Sequence, residues 1–145
     1  MLKKILLPLD GSEFAEKALS YAKSLAETFE AELLVVRVAH PVPIMADYAT
    51  VAYETYVAAE QQATETYLQE INLYFQGSPF SVRTLALQYM DAASGIIDLA
   101  CEEKVDLIVM STHGRSGFSR WIHGSVATKV LQASLCPVLL VRANT

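Results

Sequence analysis

Five short apolar runs divide the chain: Lys3–Pro8, Leu33–Val38, Val82–Leu87, Leu107–Met110 and Val138–Val141. All five are of strand length, and the first, a continuous run bounded by a turn, predicts a strand covered on both faces. Between them the apolar period changes to three and four. Ala15, Ala18, Leu19, Ala22, Leu25, Ala26 and Phe29 fall on one face of a predicted helix, with Ser12 as N-cap and Glu13 in its first turn. Tyr56, Ala59, Ala63, Tyr67, Ile71 and Tyr74 mark a second face, with Glu60, Gln61, Gln62, Thr64 and Glu65 between them. Asp91 is placed to cap a third helix with face Ala93, Ile96, Ile97, Ala100 and Cys101. A fourth is predicted from Gly124-Ser125 to about Leu135, facing inward through Val126, Val130 and Ala133. Residues 41–52 carry Pro41 and Pro43 but no period, which makes them a candidate lid or partner surface.

Strict alternation of strand and helix implies a parallel sheet with helices on both faces. In such folds the ligand lies beyond the C-terminal ends of the strands, where strand order reverses. The first and fourth strands are expected to flank that crevice, setting Asp10 opposite the segment that follows Met110.

That segment is the chemically distinctive one. After Leu107–Met110 comes a loop holding Gly114, Arg115, Ser116, Gly117, Ser119 and Arg120, and the helical pattern resumes at Gly124-Ser125. A strand, a glycine- and serine-rich loop and a helix start form a cradle for phosphate. Glycine lets the backbone approach closely, and the first helical amides with the helix dipole favour an anion. Charge changes the picture in the same direction. The chain has 11 Lys+Arg against 16 Asp+Glu, a net of −5. No Asp or Glu occurs after Asp106, so residues 107–145 carry +4 from Arg115, Arg120, Lys129 and Arg142, and residues 1–106 carry −9. Clearing carboxylates from one loop suits an anionic ligand; a buried C-terminal unit with few charges is the competing explanation.

Ser111-x-x-Gly114, nine further residues, Gly124-Ser125, then Cys136-Pro-Val-Leu-Leu-Val-Arg resemble the signature of the universal stress protein family. The opening Leu6-Leu-Pro-Leu-Asp-Gly-Ser12 resembles that family's first strand and turn. The similarity covers essentially the whole chain, which is expected to be a single domain over residues 1–145. It implies an α/β fold, a doubly wound five-stranded parallel sheet in the order 3-2-1-4-5. The family's ATP-binding branch carries Gly-x-x-Gly-x9-Gly-(Ser/Thr). Here Ser111 stands at the first position, putting a Cβ and hydroxyl near the presumed ribose-phosphate path.

The resemblance implies an ATP-binding stress sensor or adaptor, with magnesium as an optional companion of the phosphates. Its homodimer would form through the final strand, Val138–Arg142, whose apolar edge wants a partner. Expected nucleotide contacts are Pro8, Leu9 and Asp10 after the first strand, Val38 and Met110 as apolar walls, then Ser111, Gly114 and Arg115. Gly124, Ser125, Val126 and Ala127 complete the set at the helix start. Each has a plainer reading. Asp10 can simply hold its turn, the glycines can punctuate a loop, Arg115 can be a solvated charge, and Val38 and Met110 can be core. Two alternatives remain: an interaction-only dimer of the same family, and a slow phosphoesterase using His113. No Ser-His-Asp order accompanies His113 or His123, so turnover beyond slow ATP hydrolysis is not expected.

Other classes are excluded more firmly. There is no Gly-x-x-x-x-Gly-Lys-(Ser/Thr) and no Gly-x-Gly-x-x-Gly after the first strand. Cys101 and Cys136 stand apart with no metal-ligand spacing, which fits a reducing cytoplasm. Acidity argues against nucleic acid, and no apolar run reaches the roughly 20 residues of a membrane span. Asn72–Ser78 resembles the recognition sequence of a plant-virus protease, but the Glu expected before Asn72 is Ile71. It is taken as natural chain with no function of its own.

Overall fold

The structure is a computed structural model, and it describes residues 1–39, 51–88, 91–112 and 124–142. Its strands are β1 (Lys4–Leu9), β2 (Glu32–Val38), β3 (Val82–Leu87), β4 (Leu107–Ser111) and β5 (Val138–Val141). The helices are α1 (Glu13–Glu16), α2 (Leu19–Phe29), α3 (Val51–Tyr74), α4 (Ala92–Glu102) and α5 (Ser125–Ala133). All strand pairs are parallel, in the order β3-β2-β1-β4-β5 expected from the sequence.

Side-chain parity sorts the core into two layers. Ile5, Leu7, Leu9, Leu33, Val35 and Val109 face α1, α2 and the end of α3, burying Ala15, Ala18, Leu19, Ala22, Ala26, Ile71 and Phe75. Leu6, Leu34, Val36, Ile108 and Met110 face α4 and α5, with Ala93, Ile96, Leu99, Ala100, Ala127 and Val130. The helices that carry the chain leftward from β1 thus cover one face, and those that carry it rightward cover the other. Right-handed crossovers require this arrangement.

Four helical expectations are corrected. The predicted continuous first helix is two. Ser12 caps α1, its Oγ accepting from Ala15 N at 3.2 Å, but the chain turns at Lys17-Ala18 before α2 begins. In α3 the buried row is Thr64, Leu68, Ile71 and Phe75, with Tyr67 half-buried; Tyr56, Ala59, Ala63 and Tyr74 are exposed. This helix carries aromatic and aliphatic residues on several sides, so period alone does not single out a face. The sheet takes the aliphatic row, and Tyr56 and Tyr74 keep their hydroxyls at the surface. In α4, Leu99 is buried and Cys101 exposed, because the stripe centres on Ile96 and Ala100. The last helix stops at Ala133, itself exposed, leaving Leu135 outside; Cys136 N donates to Ser134 Oγ at 3.3 Å in the turn before Pro137. Asn72–Ser78 closes α3 and the turn after it. Phe75 is in the core and Asn72 Nδ2 donates to Thr84 Oγ1 at 3.2 Å, so the stretch is built into the fold.

The N-terminal edge of the sheet is tied by charge. Asp106 Oδ2 accepts from the amides of Lys3 and Lys4 at 2.8 and 2.9 Å, clamping the entry of β4 to that of β1. Glu103 bridges Lys4 and Arg83, which also meet Glu32. The two amide bonds hold the Asp106 carboxyl below its ordinary range. A depressed folded-state pKa means that this contribution is complete above the unfolded value and drains as pH falls through the folded one. Asp106→Asn is therefore expected to cost about 1 kcal/mol at neutral pH, allowing for solvent screening. Urea unfolding should show the gap between variant and parent closing below about pH 4.

Candidate functional site

The site is built where the sheet changes direction. The β1–β2 ladder runs from Lys4↔Glu32 to Leu9↔Arg37, and β4 stays with β5 as far as Ser111↔Val141. Between β1 and β4 only Ile5↔Leu107 and Leu6↔Ile108 are paired. Beyond Leu6 and Ile108 the two central strands part, each following its outer neighbour. Their C-terminal ends form the switch point of an open α/β sheet, the place where such folds take a ligand.

On the β1 side, Pro8 and Leu9 are buried and Asp10 is half-buried. Asp10 Oδ1 accepts from both the amide of Ser12, at 2.9 Å, and its hydroxyl, at 2.5 Å. Gly11 between them has φ +85°, a left-handed conformation that a side chain resists. The turn role foreseen for Asp10 is therefore real, and it presents the carboxylate at the strand end. Val38 ends β2, half-buried against the α4–α5 layer.

On the β4 side, Met110, Ser111 and Thr112 are all buried. Thr112 N donates to Val141 O at 2.9 Å, and Thr112 O accepts from Gly124 N. The chain thus leaves β4 and re-enters α5 at one hydrogen-bonded point. Gly124 is the N-cap of α5 and makes no side-chain cap bond. The first amides of the helix, Ser125, Val126 and Ala127, precede the first intrahelical bond, Thr128 N to Gly124 O at 2.9 Å. Ser125 is exposed, Val126 half-buried and Ala127 buried. Gly114 and Arg115, with His113, lie outside the described residues. The other ten predicted contacts all sit at the C-terminal edge: six at the ends of β1, β2 and β4, and four at the start of α5.

The basic excess of the C-terminal segment is smaller in space than in sequence. Lys129 Nζ lies 3.6 Å from Asp91 Oδ1 at the start of α4. The Ser94 hydroxyl bond, then Lys129, holds the Asp91 carboxyl below its usual range. Among the described residues no group of three or more His, Cys, Asp or Glu could hold a metal, and no helix is long and apolar enough to cross a membrane.

A neighbouring cluster was not foreseen. Arg37 of β2 is buried, its Cζ 5.1 Å from the Tyr67 ring centroid and Nη1 donating to Ala63 O at 3.3 Å. Tyr67 Oη donates to Glu16 Oε1 at 2.9 Å; burial first, then this bond, pushes the phenol far above its ordinary pKa. The available signal was one charged residue inside the apolar run Leu33–Val38.

An all-parallel sheet covered by helices on both faces, with a glycine-capped helix at its switch point, defines the open α/β class. The model of the Universal stress protein family matches residues 1–142, and the chain belongs to that family. A universal stress protein of Thermus aquaticus is 36% identical over 153 residues, covering 98% of this chain and 100% of its own. The solved structure of the hypothetical protein MJ0577 superimposes with a TM-score of 0.86 at 26% identity, covering 98% of this chain and 96% of its own. Two further structures share the fold at lower identity. One is a universal stress protein in complex with cAMP (TM-score 0.65, 19% identity, covering 99% of this chain and 98% of its own). The other is an Arabidopsis thaliana family member with AMP bound (TM-score 0.69, 13% identity, covering 99% and 93%).

The left-handed turn gives this site a backbone test. At Gly11 an added Cβ would meet Arg37 atoms no closer than 3.5 Å, so space is adequate and the backbone carries the cost. Gly11→Ala is expected to lose about 1–2 kcal/mol in denaturant unfolding.

Proposed function

We propose that this chain is an adenine-nucleotide-binding domain acting as a dimeric stress-response sensor or adaptor, with ATP as its ligand. The observation that carries the reading is the switch point where β1 and β4 part, with an uncapped α5 start pinned to the end of β4 through Thr112 and Gly124. The amides of Ser125, Val126 and Ala127 suit phosphate oxygens, and Gly124 admits them closely. Asp10 would accept from adenine or ribose, with Pro8, Leu9, Val38 and Met110 as apolar walls. Ser111 would contribute its hydroxyl along the ribose-phosphate path. Gly114 and Arg115 would complete the phosphate grip, with Mg²⁺ bridging the phosphates where it is present. Fold neighbours bound to cAMP and AMP support an adenine ligand.

Dimerisation would use β5, an edge strand of this sheet, where Leu139 is 37% exposed. The interaction-only reading is kept as the result a negative binding experiment would give. A cytoplasmic location goes with the two free thiols.

Nucleotide at a hundredfold excess over Kd adds about 2.7 kcal/mol to a protein that binds it only when folded. For a chain of this size that is a rise in melting temperature of about 5–10 °C. ATP with magnesium should produce it in the parent, and Gly124→Val should abolish it while still folding. Equal melting of the parent with and without nucleotide would end the proposal. Separately, sedimentation should show a parent dimer that Leu139→Lys dissociates; a monomeric parent would remove the β5 interface.

A further inference from the structure

We infer that Arg37 is a positioning residue: a buried cationic wedge that couples the seating of α3 to the shape of the Asp10–Gly11–Ser12 turn, and so tunes ligand affinity from outside the switch point. The inference rests on the nucleotide reading for its affinity effect, but the coupling itself does not.

Register puts the wedge in place. Arg37 pairs with Leu9, the residue before Asp10, and shares the sheet face of Leu33 and Val35, which is covered by α1, α2 and α3. Its guanidinium lies under the turn, with Cζ and Nη2 each 3.5 Å from where a Gly11 Cβ would stand. On its other side it meets α3 through Ala63 O and the face of Tyr67. Tyr67 in turn reaches Glu16 in α1, the helix that follows the turn. One side chain therefore touches both the turn and the helix packed beside it.

The fit is poor for a group whose only task is stability. The Arg37 side chain is 8% exposed, yet the carboxylate it meets among the described residues, Glu60, stands at 3.7 Å, beyond hydrogen-bond length. Among the described residues, Arg37 Nε, Glu60 Oε1 and Thr64 Oγ1 are all buried without a hydrogen-bond partner. Such orphans are uncommon in native interiors, and a buried ion pair with imperfect geometry is often matched or bettered when both partners are replaced by apolar residues of similar volume. Three of them gathered at one interface mark it as a place where α3 and β2 are not locked together. An open surface groove runs along this interface, lined by Gly11, Arg37 and the α3 residues Ala59, Ala63, Tyr67 and Glu70, so the seam between the turn and α3 is not filled by side chains.

The experiment compares the parent, Arg37→Met and Arg37→Lys by melting, ATP titration calorimetry and amide hydrogen exchange. Arg37→Met should still fold and melt cooperatively, yet the folded protein should bind ATP about three- to thirtyfold more weakly. Exchange at the Gly11 and Ser12 amides should quicken. Arg37→Lys, which keeps the charge but loses the fork, should weaken binding while retaining the fold. A residue with only a structural role would lower the melting temperature and leave the affinity of the folded protein unchanged. Parent-like affinity in both variants overturns the inference. If the parent binds no nucleotide, the functional proposal falls alone, and exchange at Gly11 and Ser12 still decides the coupling: unchanged rates in both variants overturn it.

Discussion

The structure depends on how β1 and β4 pair for two residues and then part. Both strands are buried on each face, so their N-terminal halves are held by the two core layers as well as by their ladder. The right-handed twist and opposed directions of winding pull their C-terminal halves apart, because β1 continues with β2 while β4 continues with β5. The switch point is thus a consequence of chain order, and the same parting leaves the ends of β1 and β4 in place beside it.

Charge is distributed to respect that asymmetry. The N-terminal edge of the sheet carries a closed set of ion pairs, Lys4, Glu32, Arg83 and Glu103, with Asp106 accepting two main-chain amides. Those interactions hold the strands in register at the edge away from the switch point. At the opposite edge the groups are mostly main-chain: a glycine N-cap, the first amides of α5, and a turn kept in shape by Asp10 and Ser12. A stable, charge-stapled base lets the other edge be made of polar groups committed to shape rather than to cohesion.

How much of this could be read from sequence follows from which forces act. Strands were legible as short runs with sharp ends between turn residues: Val82–Leu87 and Val138–Val141 agree to the residue although both are edge strands with exposed positions, and the three strands buried on both faces differ by at most one at either end. Helix faces were less so where aromatic residues bear hydroxyls. Tyr56 and Tyr74 count as apolar in a periodic pattern, yet the sheet buries Thr64, Leu68 and Phe75 instead. The break between α1 and α2 left no mark, since Ala15 and Leu19 stay buried on either side of it and Ala18 within it. For the site, Asp10 and Gly124-Ser125 were placed at the sheet edge by spacing alone. Arg37 was invisible as a partner because its contacts, Gly11, Ala63 and Tyr67, are distant in sequence and meet only through the register of β1 with β2.

That last point bears on how a fold used for many ligands varies its response. What the start of α5 offers at the switch point is main-chain amides, so the side chains around it have freedom to differ while those amides stay the same. A strand position one register step from the turn is the most direct place for such variation. Its side chain reaches the turn without standing at the switch point, and its other end reaches a helix. In this chain that position is a guanidinium rather than an aliphatic group, and it is there, under Gly11 and beside α3, that Arg37 Nε, Glu60 Oε1 and Thr64 Oγ1 lie buried and unmatched among the described residues. The cost of those orphans falls on the packing of α3, while the shape they influence belongs to the turn.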